Sequence, residues 1–158
     1  MFMPVLILIA STGLLLSCLH LLCQKFLRRR LNQEFYQRVV NANRLEFLSV
    51  RRTIEDFGLP VEYSRLTMTL KCDFLALTYL LENAANINQN CTYEEHLLIL
   101  YFKVVYVSLI TRHCLRLRET PALLKLTTIL QYFANVVGER VEAVRFEELT
   151  TADYLLNI

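Results

Sequence analysis

Glycine and proline are scarce in this sequence, with three residues of each among 158, and tryptophan is absent. A fold built from many short strands needs frequent tight turns, and glycine and proline are among the residues that such turns favour. Their scarcity argues against an all-β fold and favours long helices.

A surplus of charge is also missing, because 17 Lys and Arg residues face 15 Asp and Glu residues and the net charge is only +2. Proteins that bind nucleic acid normally carry a marked basic surplus against the phosphates. We therefore expect no nucleic-acid partner. The charges are unevenly distributed, since residues 1–71 hold ten basic and five acidic residues, whereas residues 72–158 hold seven and ten.

Paired cysteine motifs and clustered metal ligands are lacking as well. The five cysteines include no CxxC pair, which is typical of a reducing compartment rather than of a disulfide scaffold. The three histidines, His20, His96 and His113, lie far apart in sequence. Signatures of phosphate-binding loops, dinucleotide sites, nucleophile elbows and kinases do not occur. We therefore expect no enzyme activity, catalytic residue, metal site or cofactor.

A long apolar segment stands at the N-terminus. Residues 4–23 contain no Asp, Glu, Lys or Arg, and about 20 helical residues suffice to cross the ~30 Å hydrocarbon layer of a bilayer. Four basic residues follow at once: Lys25, Arg28, Arg29 and Arg30. The pattern predicts an uncleaved, single transmembrane anchor over residues 1–30. By the positive-inside rule its N-terminus lies outside, and the basic residues contact anionic lipid headgroups on the cytosolic side.

Two other interpretations of this segment fit less well. A cleaved signal peptide has a basic region before a shorter apolar stretch, and no lysine or arginine precedes this one. A lipoprotein signal is suggested by the lipobox-like Leu15 to Cys18, but the apolar run continues past that cysteine.

Residues 31–158 have the apolar periodicity of helices and predict a cytosolic domain of four to five helices arranged as a bundle. One apolar stripe, interrupted by a single asparagine, alternates spacings of four and three: Tyr36, Val40, Asn43, Phe47, Val50 and Ile54. Such a stripe is either the core face of an intrachain bundle or a self-association face, a coiled coil whose register Asn43 fixes. We favour the bundle, because a second apolar row widens the face beyond a two-stranded seam.

Local signals divide the rest of the domain. Residues 64–73 alternate like a strand, yet a helical row runs through them and a helix is the better prediction. Thr92 and Glu95 have capping-box spacing before a helix that is apolar on nearly all sides, which predicts a central position in the bundle. Thr120 and Pro121 predict the next helix start. Gly138 predicts its end, before a last acidic helix.

A second basic cluster ends the apolar helix, with Arg112, His113, Arg116 and Arg118. Cations are favoured at a helix C-terminus by the helix dipole, which explains the cluster without any ligand. An acidic or phosphate-bearing partner is the alternative.

Taken together, these features predict a non-enzymatic, membrane-tethered helical interaction module at the cytosolic face of a membrane, bound to an unknown protein or to itself. The alternative is a helical membrane protein with a second inserted segment near residues 97–111, acting as a subunit of a larger membrane or transport assembly. An enzyme with an unrecognised site is the weakest of the three hypotheses.

Overall fold

A computed structural model describes residues 2–30, 35–57, 63–84 and 92–156, and these form six α-helices and no strand. The helices are α1 (Phe2–Arg30), α2 (Tyr36–Asn43), α3 (Phe47–Phe57), α4 (Tyr63–Ala84), α5 (Tyr93–Cys114) and α6 (Thr120–Leu156). The all-α fold, with an apolar N-terminal helix followed by a helical domain, is confirmed.

Helix α6 is the centre of the domain, and it contacts each of the other five helices. Its apolar stripe is fully buried: Leu123, Leu126, Leu130, Phe133 and Val137. The prediction that α5 would be central is wrong, because α5 buries only one side and leaves Leu100 and Val107 exposed. The predicted start of α6 at Thr120 is confirmed.

The predicted helix end at Gly138 is also wrong, since α6 continues through it into the acidic segment. A Cβ atom on this residue would lie 2.8 Å from the carbonyl oxygen and 2.9 Å from the Cβ of Phe35. The glycine thus lets the chain before α2 approach the surface of α6 closely.

The stripe predicted over residues 31–57 falls on two helices rather than on one. Arg44 adopts the left-handed conformation, with φ of 52°, and the Leu45 N–H donates to the Val40 carbonyl at 3.1 Å. Helix α3 then begins against Asp73 of α4, whose Oδ2 accepts hydrogen bonds from the N–H groups of Glu46 at 2.9 Å and Phe47 at 2.7 Å. This side-chain cap, distant in sequence, explains why the periodic stripe turns a corner.

Two further predictions are confirmed. Residues 64–73 belong to α4 and are helical. At the start of α5 the capping box forms, and the Thr92 N–H donates to Oε2 of Glu95 at 3.1 Å.

Candidate functional site

The basic residues predicted to contact lipid occupy the last turns of α1. Lys25, Arg28 and Arg29 are exposed, whereas the side chain of Arg30 lies outside the part of the chain that the structure describes. Residues three and four apart share one side of a helix, so these three cations form one basic face after the apolar stretch. Their contact with lipid stays a prediction.

The C-terminal half of α1 packs against the helical domain. Cys23 and Leu27 are buried there, and Nδ1 of His20 lies 2.5 Å from the hydroxyl of Tyr101 on α5. A cavity of about 230 Å³ between α1, α5 and α6 begins at Leu16. From Leu19 onwards, therefore, α1 packs against the domain.

Two described helices are long and apolar enough to cross a membrane, α1 over Met3–Arg29 and α5 over Tyr93–Cys114. Within the most apolar 18 residues of each, none is buried in α1 and 28% are buried in α5. The core helix of a soluble protein passes the same test of length and composition. The apolar N-terminal helix is thus a candidate span, and neither the number of spans nor their orientation follows from this comparison.

The residues predicted as a self-association face lie mostly inside the chain's own core. Val40, Phe47, Val50 and Ile54 are buried. Asn43 is exposed and donates a hydrogen bond from Nδ2 to the Val39 carbonyl of its own helix. Tyr36 is half-buried. The intrachain bundle that we favoured accounts for this stripe, and self-association through it stays a prediction that requires the domain to open.

A polar groove lies on the outer side of these same helices, where α2 and α3 meet α6. Its volume is about 580 Å³. The residues that line it are mostly polar: Tyr36, Gln37, Val40, Asn41, Leu48, Arg51, Arg52, Glu55 and Gln131. The groove is open to solvent and is lined by side-chain amides of α2 and α6, and such amides can donate to and accept from a peptide backbone.

Two arginines give the groove its charge. The guanidinium of Arg51 is held in place, because Nη1 donates to Oε1 of Gln131 at 2.8 Å and Nε donates to Oε1 of Glu55 at 2.9 Å. Arg52 is exposed and has no ion-pair partner among the described residues. With two cations against one carboxylate, the groove is complementary to an acidic ligand.

The polar residues of α6 that build this side were missed by the sequence reasoning. Gln131 and Asn135 lie four residues apart, hence on one side of the helix, and both are buried. Oδ1 of Asn135 accepts a hydrogen bond from the Tyr36 N–H at 2.9 Å, which fixes the start of α2 beside the groove. Two amides four residues apart within a largely apolar helix were the available signal.

No group of three or more His, Cys, Asp or Glu side chains that could hold a metal ion occurs within residues 2–30, 35–57, 63–84 and 92–156. Compared with models of protein families, with curated proteins and with solved structures, the chain matches none of them. The candidate functional features are therefore the apolar helix α1, the basic face at its end and the polar groove.

Proposed function

We propose that the protein is a membrane-tethered interaction module whose groove binds an extended acidic segment of a partner protein. Helix α1 anchors it as a single span, with the N-terminus outside and the domain on the cytosolic side. The observation that carries the proposal is the arginine-containing groove on a domain packed directly against an apolar helix.

The anchor and its orientation are supported by the asymmetry of charge around α1. The 18-residue apolar window has a mean hydropathy of 2.3 and no buried residue, so its side chains are free to contact lipid. Lys25, Arg28 and Arg29 follow it and are exposed, and loops rich in Lys and Arg stay on the cytosolic side of membranes.

The ligand class is supported by the fixed geometry of Arg51. Because Gln131 and Glu55 already restrain its guanidinium, little side-chain entropy remains to be lost on binding a carboxylate. Arg52 supplies a second cation, and the amides of Gln37 and Asn41 line the same groove for backbone contacts.

The tether is tested by extraction and topology. The full chain should stay in the membrane pellet after carbonate washing, with tags at its N- and C-termini accessible from opposite sides. Release into the supernatant would overturn the anchor. Tags accessible from the same side would overturn the single span.

The groove is tested with the full chain in lipid nanodiscs and a fluorescent peptide of alternating glutamate and serine. We expect Arg52→Glu to weaken binding of the peptide about tenfold, the loss of a hydrogen-bonded charge pair. Arg65→Glu is the matched control. Arg65 is exposed on α4, away from the groove, and its replacement changes the net charge by the same amount. Equal weakening by both variants would show that only net charge attracts the peptide, and would reject the groove.

The second candidate function, a subunit of a larger assembly with α5 inserted as another span, is favoured by one observation. Leu100, Val107 and Ile110 are exposed along α5, where a second helix or lipid could cover them. Two spans return the C-terminus to the side of the N-terminus, so the same tag experiment separates the two functions.

A further inference from the structure

The turn between α5 and α6 is a compact, well-defined structure. Helix α5 ends with Arg116 in the left-handed conformation, with φ of 53°. The Leu117 N–H donates to the Arg112 carbonyl at 2.8 Å, and the Arg116 N–H to the His113 carbonyl at 3.1 Å. This pair of hydrogen bonds is a Schellman motif, which ends a helix in one fixed geometry.

Side chains restrain the same turn from both sides. Nδ1 of His113 lies 2.7 Å from Oε1 of Glu119, and Nη1 of Arg112 donates to the Arg118 carbonyl at 3.0 Å. The His113 ring also stacks on Tyr63 at the start of α4, with 3.6 Å between ring centroids. These contacts therefore fix the position of the turn at this end of the domain.

Hydrophobic and basic residues alternate on the surface of the turn. Leu115 is 64% exposed and Leu117 is 54% exposed. Arg116 and Arg118 are exposed beside them. Leucines next to arginines are the composition of surfaces that enter the headgroup region of a bilayer, where the leucines reach the acyl chains and the arginines reach the phosphates.

The position of the turn relative to α1 brings it to the membrane. One cavity is lined by Leu16 and His20 of α1 together with Arg112 at the end of α5 and Pro121 at the start of α6. The turn therefore lies level with the middle of α1, well before the basic face at Lys25.

The basic face of α1 then indicates the depth of the turn. Leu16 and His20 precede Lys25 by nine and five residues, which is about 8–14 Å of helix at ~1.5 Å per residue. On the proposed anchor Lys25 lies at the level of the headgroups, so a turn level with Leu16 and His20 reaches the upper acyl chains.

We infer that the α5–α6 turn, residues 115–119, is a second membrane contact that enters the headgroup region of the leaflet from which α1 emerges. This inference rests on the proposed anchoring by α1. Leu115 and Leu117 lie at the level of the upper acyl chains, and Arg116 and Arg118 bind lipid phosphates. The contact fixes the orientation of the domain on the bilayer.

Three exposed native cysteines allow a direct test with the full chain. Cys114 adjoins the turn, Cys18 lies in α1, and Cys72 lies on α4 as a control in water. Each variant keeps one of these three cysteines and has the other four cysteines of the chain replaced. The variants are labelled with an environment-sensitive dye and reconstituted in vesicles containing phosphatidylglycerol. Quenching is then measured with a spin label near the lipid headgroup and with aqueous iodide.

We expect the dye on Cys114 to be quenched by the lipid spin label about twofold or more above the dye on Cys72, and to be shielded from iodide. A Cys114 dye that behaves like the Cys72 dye, while the Cys18 dye lies in lipid, would overturn the contact and leave the anchor intact. If the Cys18 dye is quenched by iodide and not by the lipid spin label, α1 is not in the membrane, and this inference fails together with the proposed anchor.

A double variant tests the leucines themselves. Leu115→Asp with Leu117→Asp should reduce lipid quenching of the Cys114 dye to the Cys72 level and leave the Cys18 dye unchanged. Leu75→Asp, at a comparably exposed leucine on α4, is the control and should change neither value. Unchanged quenching of the Cys114 dye in the double variant would overturn the inference.

Discussion

Nη2 of Arg140 on α6 lies 2.7 Å from Oε1 and 2.9 Å from Oε2 of Glu95 on α5. The two side chains are only 10% and 4% exposed. Glu95 also accepts the Thr92 N–H at the start of α5, and Nη1 of Arg140 donates to the Leu81 carbonyl of α4 at 3.3 Å. One ion pair therefore joins the ends of α4 and α5 to the central helix.

Breaking this pair should destabilise the domain strongly. Glu95→Gln keeps the shape and an acceptor for Thr92 but leaves the charge of Arg140 buried and unpaired, which costs about 3–5 kcal/mol. Glu94→Gln, in the same turn but half-exposed, is the matched control. Denaturant unfolding of both variants in detergent micelles gives the comparison, and equal losses would contradict a stabilising buried pair.

The stability of the domain should survive replacement of the capping residue Asp73 by asparagine but not by alanine. Asp73→Ala leaves the N–H groups of Glu46 and Phe47 without their acceptor and should cost about 1–3 kcal/mol. Asn caps helices about as well as Asp, so Asp73→Asn should retain most of the stability. The free energy of unfolding of the two variants at neutral pH checks this, and similar losses in both would show that the cap contributes little.

The carboxyl group of Asp73 should also make the stability of the domain depend on pH. Burial raises the pKa of Asp73 above its ordinary value of 3.8, while the hydrogen bonds from Phe47 and Glu46 oppose that rise. The folded state thus keeps this proton at a pH where the unfolded chain has lost it. Stability contributed by Asp73 is therefore full below about pH 4 and decreases as the pH rises through the folded-state pKa.

Comparison with Asp73→Asn isolates this effect, because the other titrating groups are common to both proteins. Unfolding free energies measured from pH 3 upwards should show the wild type losing stability relative to the variant as pH increases. A difference that does not change with pH, or that changes in the opposite direction, would contradict the raised pKa.

The sequence predicted what depends on neighbours along one helix and missed what depends on partners far along the chain. The helix start at Thr120 and the capping box at Thr92 are local patterns, and both form. The corner at Arg44 depends on Asp73, and the central position of α6 depends on its contacts with five helices, most of them far along the chain. Gln131 pairs with Arg51, 80 residues away, so a polar residue that indicated exposure is buried instead.

The groove was not predicted from the sequence for the same reason. The sequence shows Arg51 and Arg52 as adjacent basic residues but does not indicate their partners. In the structure Arg51 binds Glu55 on its own helix and Gln131, whereas Arg38 pairs with Glu142 on α6. Which arginine reaches which carboxylate depends on the corner at Arg44, which periodicity alone does not indicate.

That corner gives a prediction of increased stability. An L-residue in the left-handed conformation costs about 1–2 kcal/mol, part of which glycine recovers at the expense of a more flexible unfolded chain. Arg44→Gly should therefore stabilise the domain by about 0.5–1 kcal/mol. Arg44→Ala removes the same charge but keeps the strain, so thermal unfolding should show no gain for it. Equal stability of the two variants would mean that the corner is not strained.

Gly138 provides the opposite case, a helical glycine whose replacement should be harmful. In an ordinary helix interior, Gly→Ala is favourable by about 1 kcal/mol. Here the added Cβ would meet the carbonyl oxygen of Phe35 at 2.8 Å, and this contact is with backbone that cannot rotate away. The chain before α2 would have to move off α6, and we expect Gly138→Ala to destabilise the domain by about 1–3 kcal/mol as an overpacking substitution.

Gly13→Ala is the matched control for that substitution. Gly13 is also a helical glycine, but a Cβ added to it meets nothing within 4 Å. Thermal unfolding in the same detergent should therefore leave Gly13→Ala at or slightly above the wild type, with Gly138→Ala clearly below it. Because both variants make the same chemical change within a helix, a Gly138→Ala protein as stable as the control would show that Phe35 does not pack against α6 as described.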